Sequence, residues 1–68
     1  MESIIQQAKA RRQQMGLTLR DLSDLSGLGI NLLSRFERGS GGISLRNLSV
    51  LLGILGLELA VHPKRRAE

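Results

Sequence analysis

An all-α fold, four short helices followed by one short C-terminal strand, is what this sequence predicts. Three observations carry the prediction. Residues 18–39 read as two short helices around a tight, glycine-containing turn. Leu45, Leu48, Leu51, Leu52 and Leu55 recur at the 3,4 spacing of a buried helix face. From Leu57 the period changes to two, with Leu57, Leu59 and Val61 alternating with Glu58, Ala60 and His62.

The first helix is expected over residues 3–15. Ser3 and Gln6 stand at capping-box spacing. Ile5, Ala8 and Arg12 share one face, and Lys9, Arg11 and the glutamines face out. Gly16 stops the helix. The second helix is expected over residues 19–26. Thr18 is its N-cap, Asp21 follows three residues later, and Leu17 and Leu22 form a hydrophobic staple. Gly27 ends it, because glycine takes a left-handed backbone at no steric cost. The third helix is expected over residues 30–38, with Leu33 and Phe36 as its buried pair. Leu22, Leu25 and Leu28 are expected to face inward with them. Two short helices about such a turn are the helix-turn-helix signature. In its DNA-binding versions the second helix enters the major groove.

A flexible loop is expected over residues 39–43. Ser44 then caps the fourth helix, residues 45–55, and Ile43 and Leu48 form a second staple. Gly53 interrupts that helix at a cost of roughly 1 kcal/mol against alanine, which suggests close packing there. Gly56 ends the helix. Residues 57–63 read as the strand, closed by Pro63, which lacks an amide donor. One strand alone is not stable, and the chain offers no second. The expected partner is the same strand of another subunit, paired across a two-fold axis.

The 68 residues allow one small domain. It divides into a helical body (1–56), a dimerisation strand (57–63) and a flexible basic tail (64–68). There is no cysteine and one histidine, so disulfides and a histidine–thiolate zinc site are not expected, and no cofactor is implied. The longest apolar runs fall short of the ~18 residues of a membrane span, and the first ten residues carry no secretory h-region. A cytoplasmic protein of bacterial type is the expectation, with no membrane partner. No nucleophile–base–orienter set is visible, and Gly39-Ser40-Gly41-Gly42 lacks the Lys-Ser/Thr of a phosphate loop, so an enzyme is not expected.

Ten Lys and Arg against six Asp and Glu give a net charge of +4, which suits a polyanion. The one aromatic, Phe36, is expected inside, which disfavours single-strand binding by base stacking. Duplex DNA remains. Asn31, Ser34 and Arg35 lie away from Leu33 and Phe36, where a recognition helix presents its reading groups. Asn suits adenine, Arg suits guanine, and Ser is permissive. The plainer alternative for these three is a solvated face, and the surrounding motif favours base contact for Asn31 and Arg35. Ile30 beside them is either a contact to a thymine methyl or a minor packing residue.

The segment from Gly16 through Gly39, continued by residues 43–59, resembles the Xre or phage lambda repressor-type helix-turn-helix family. The resemblance covers residues 5–57. Its most specific parts are Gly16-Leu17-Thr18, Leu22, Gly27, Leu33-Ser34-Arg35 and Glu37-Arg38-Gly39. The strand Leu57-Glu58-Leu59-Ala60-Val61 is similar to that of HipB-type antitoxins, where it pairs across the dimer.

The resemblance implies base contacts from Ile30, Asn31, Ser34 and Arg35. It implies phosphate contacts from Arg38, Gly39, Ser44 and Arg46. It pairs Arg12 with Glu37 as a structural bridge, and gives Leu57, Leu59 and Val61 to dimerisation. Two positions depart from the family pattern. Leu19 stands where a phosphate-touching Gln is frequent, and Gly29 where a Ser or Thr cap is frequent. Arg20 is the candidate to touch that phosphate in place of the Gln. Lys64-Arg65-Arg66 reads as a solubilising tail.

The function so implied is sequence-specific binding of a roughly palindromic DNA operator by a homodimer that represses its own operon. Bound to DNA, the protein would be associated with the nucleoid. A toxin protein is a possible further partner, docking on the folded body. The alternative is a protein-interaction adaptor that keeps the fold without reading DNA.

Overall fold

The computed structural model describes residues 2–60. Four helices follow one another: α1 (Glu2–Gln14), α2 (Leu19–Ser26), α3 (Ile30–Glu37) and α4 (Leu45–Ile54). Val61, His62, Pro63 and the expected basic tail lie outside the described residues. So does that end of the expected strand. Residues 57–60, its beginning, run on from α4 without helix.

The helix boundaries follow from local chemistry. At the start of α2, the Asp21 amide donates to Thr18 Oγ1 at 3.0 Å, and the Thr18 amide donates to Asp21 Oδ2 at 2.9 Å. The capping box thus satisfies two otherwise orphaned donors. Ser44 Oγ accepts the Asn47 amide at 3.1 Å and starts α4 in the same way. Helix α1 begins one residue earlier than expected. Ser3 is inside its first turn rather than at a cap, and its hydroxyl accepts from Gln7 Nε2 at 3.2 Å. Side chains four apart on a helix are neighbours, and this pairing outcompetes the cap reading.

Three helices end alike. The Leu17 amide bonds the Arg12 carbonyl, the Ser40 amide that of Arg35, and the Leu57 amide that of Leu52, at 3.0, 3.0 and 2.8 Å. Each bond spans the glycine that reverses the chain, as in the Schellman closure. Gly27 closes α2 with a φ of 76°.

Ala8, Leu22, Leu33, Phe36, Leu48, Leu51, Leu52 and Leu55 form the buried core. Each large member contributes about 1.5–3 kcal/mol by leaving water. The core is made by Phe36 and leucines from α2, α3, α4 and the cap of α4, and α1 adds only Ala8 to it, with Ile4 and Ile5 half-buried beside it.

Three sequence expectations are corrected here. Leu25 is 56% exposed rather than inward-facing. The inward side of α2 is Leu19, Leu22, Ser23 and Ser26, an i, i+3, i+4, i+7 set in which two serines take places a leucine count would assign elsewhere. Leu45 is 67% exposed. It belongs to the first turn of α4, where Ser44, Leu45 and Arg46 are all exposed and the core is not reached until Leu48. Gly53 marks no close packing: a Cβ there would meet nothing within 4 Å.

Candidate nucleic-acid interface

Helix α3 is buried along one side by Leu33 and Phe36. On the other side Asn31, Ser34, Arg35 and Arg38 line one shallow open depression. Their spacing, i, i+3, i+4 and i+7, is that of a single helix face. Asn31, Arg35 and Arg38 are exposed and Ser34 is half-buried. Ile30, at the first position of the helix, is also exposed. The face therefore offers amide, hydroxyl and guanidinium groups from a rigid element.

Four features hold that element in place. First, the turn before it is stitched by α2. Ser23 Oγ donates to the Leu28 carbonyl at 2.6 Å, and the Leu28 amide donates to Ser26 Oγ at 3.1 Å. Second, the core pair Leu33 and Phe36 anchors it from below.

Third, Arg12 of α1 grips its C-terminal end. Arg12 Nε and Nη2 donate to the two Glu37 oxygens at 2.7 and 3.0 Å, and Nη1 donates to the Leu17 carbonyl at 2.7 Å. The hydrogen bond to Glu37, with the attraction between the charges, holds the Arg12 guanidinium above its usual pKa against the opposing effect of burial. Fourth, the loop after α3 folds back on it. The Ser40 amide donates to the Arg35 carbonyl at 3.0 Å, and a Cβ on Gly41 would lie 3.4 Å from the Arg35 Cβ. The loop expected to be flexible is tied at Ser40 to the backbone of a candidate reading residue.

The remaining candidates stand on separate elements. Arg20 is exposed in the first turn of α2, and Arg46 in that of α4. Ser44 is occupied as the cap of α4. Gly39 is exposed and has the positive φ, 71°, that closes α3. Away from α3, Leu57 and Leu59 are half-buried while Glu58 and Ala60 are exposed. Leu57, Leu59 and Ala60 line a groove of about 240 Å³ with Ile4, Gln7 and Leu52.

Sequence reading had no access to three of these features. Arg11 is exposed, yet its Nε donates to the Leu55 carbonyl at 2.8 Å and closes the end of α4. That contact spans 44 residues and has no local signal. The serines that stitch the α2–α3 turn read only as polar spacing. The bond from Arg38 Nη1 to Ser34 Oγ, 3.1 Å, joins two residues whose expected roles are separate. Among the described residues no helix is long and apolar enough to cross a membrane, and no three metal-ligating side chains come together.

A family model described as helix-turn-helix matches residues 9–61. The chain belongs to this helix-turn-helix family. The match takes in both helices of the motif, the turn between them, and all of α4. An uncharacterized HTH-type transcriptional regulator of Haemophilus influenzae is 33% identical over 63 residues, which are 93% of this chain and 64% of that protein. The chain thus spans just under two thirds of the length of that relative. No solved structure matches it.

Proposed function

We propose that this protein regulates transcription by binding duplex DNA, with α3 in the major groove. The observation that carries the reading is the polar face of α3. Asn31, Ser34, Arg35 and Arg38 converge on one open depression, on a helix held by core, turn and ion pair. Asn and Arg match the edges of adenine and guanine, and backbone groups and arginines fix the register on phosphates. The helix-turn-helix family and a relative named as a transcriptional regulator support the same reading.

In this reading Ile30, Asn31, Ser34 and Arg35 meet bases. Arg20, Arg38, Gly39, Ser44 and Arg46 meet phosphates. The chain acts as a homodimer joined through Leu57, Leu59 and Val61. Its operator is a near-palindrome with half-sites about 34 Å apart, and it represses its own operon by covering the promoter. The alternating burial of Leu57 and Leu59 supports a strand-like pairing surface. The protein works in the bacterial cytoplasm. A toxin would dock on the folded body, where Leu25 and Leu45 supply exposed apolar groups.

Selection from a random duplex library at near-physiological salt tests the reading. The expected result is an enriched palindrome, and Asn31→Ala or Arg35→Ala then loses about 1–3 kcal/mol of discrimination at one base each. Absence of enrichment by a folded, dimeric protein would refute DNA reading and leave the adaptor role. Sedimentation of a chain lacking residues 57–68 tests the dimer, which should fall to a monomer. Co-purification with the product of a neighbouring gene tests the toxin partner.

A further inference from the structure

Ser34 sits in the middle of the α3 face, and Arg38, one turn on, donates to it. Arg38 Nη1 lies 3.1 Å from Ser34 Oγ. A serine hydroxyl has one hydrogen and two lone pairs, whereas a guanidinium only donates. The bond therefore uses a lone pair of Ser34 and leaves its hydrogen unspent. A serine within a helix commonly turns that hydrogen back to the carbonyl four residues earlier. Among the described residues, the serine hydroxyls that donate to carbonyls are those of Ser23 and Ser40. The Ser34 hydrogen is free to point into the depression.

We infer that Arg38 is a specificity-determining residue, because it holds Ser34 as a hydrogen-bond donor toward the base it faces. This rests on the base-reading role of α3 proposed above. A cation on the hydroxyl oxygen polarises the O–H bond and strengthens it as a donor. The same cation opposes the approach of a base amino group, which carries partial positive charge. In the major groove guanine shows two acceptors, adenine and thymine one each, and cytosine only its amino donor. The position facing Ser34 is therefore guanine by preference, and cytosine is rejected. Arg38 keeps its Nε and Nη2 donors for a phosphate. One side chain thereby links the register on the backbone to the choice of a base.

Three variants separate this from a phosphate contact alone: Ser34→Ala, Arg38→Ala and Arg38→Gln. The full chain of each is taken through random-library selection and through affinity measured against salt. Arg38 is exposed, so its variants should stay folded, and a urea midpoint checks this. Ser34→Ala should flatten one position of the motif, losing a roughly five-fold preference, and keep the salt slope. Arg38→Ala should flatten that same position and also reduce the slope by about 0.9 for each phosphate it no longer neutralises. Arg38→Gln keeps a donor one turn from Ser34 but not the charge, so it should lower the slope and retain part of the preference. If Arg38→Ala enriches the wild-type motif at every position and merely binds more weakly, the inference fails and the proposed function stands. If Arg38→Gln flattens the position as fully as alanine does, the donor mechanism fails. If the wild-type chain itself enriches nothing, the proposed function fails and the inference falls with it.

Discussion

Replacing Arg12 by methionine should cost about 3 kcal/mol of stability. The side chains of Arg12 and Glu37 are 13% and 9% exposed, and the guanidinium spends three donors at 2.7, 2.7 and 3.0 Å. Methionine keeps the length of the stem and removes every donor. Glu37 is then a nearly buried carboxylate with no partner, and the Leu17 carbonyl loses its side-chain donor. Removing one partner of a buried pair typically costs 3–5 kcal/mol, and the residual exposure here places the effect at the lower end. Glu37 also closes α3, where the helix dipole disfavours negative charge, so the absence of Arg12 is felt twice.

The reverse change, Glu37→Gln, should cost less, about 1–2 kcal/mol, since Arg12 keeps the Leu17 carbonyl and a neutral acceptor. The double variant Arg12→Met/Glu37→Leu should recover most of the loss, because burying two charges is itself costly. A domain of this size has roughly 3–10 kcal/mol in total, so the single change is severe. Urea unfolding ranks all four proteins, with midpoints compared at constant m. A cost below about 0.5 kcal/mol for Arg12→Met would show an ordinary surface pair and refute the anchoring of α3.

Three further outcomes are expected. Gly53→Ala should stabilise by about 0.5–1 kcal/mol, read as a higher Tm, because the added methyl meets nothing and alanine is the better helix former; a drop in Tm would refute the open space at this position. Leu25→Gln should change stability by less than about 0.5 kcal/mol, whereas Leu33→Ala should cost about 2–5 kcal/mol, and chemical unfolding that ranks them the other way would put Leu25 in the core. The Asp21 carboxyl is held below its usual pKa by the hydrogen bonds from the Thr18 backbone and side chain. Its contribution is therefore complete above the ordinary carboxyl range, near pH 3.9, and is lost as pH falls through the lowered value. The stability gap between wild type and Asp21→Asn should be constant near neutral pH and narrow progressively as pH falls below about pH 4; a gap that does not narrow on acidification would exclude a contribution from the ionised cap.

Helix α2 was legible to the residue because both of its ends are written locally, as a capping box and a glycine. The 3,4 spacing of Leu48, Leu51, Leu52 and Leu55 was equally plain. Leu25 misled because periodicity assumes that the largest apolar groups turn inward, whereas Ser23 and Ser26 are needed inside to bond the Leu28 backbone. Gly53 misled because a glycine in a helix suggests contact, and this one is simply tolerated. The polar face of α3 could be drawn from the pattern alone. What supports it could not, since Arg11 and Leu55 meet only after folding, and the bond between Ser34 and Arg38 depends on which rotamers the finished surface leaves open.

Consecutive arginines of α1 hold two different helix ends: Arg11 that of α4, Arg12 that of α3. Because α1 places only Ala8 in the core, with Ile4 and Ile5 packed at its edge, part of its attachment is polar. It is the natural first segment to open in local fluctuations, while α2, α3 and α4 stay packed. Each opening frees the last turn of α3, so under the proposed function the fraction of molecules with α1 docked sets the fraction ready to engage a groove. Linkage makes this reciprocal. A ligand that clamps α3 would therefore slow amide exchange in α1, the helix that grips its end.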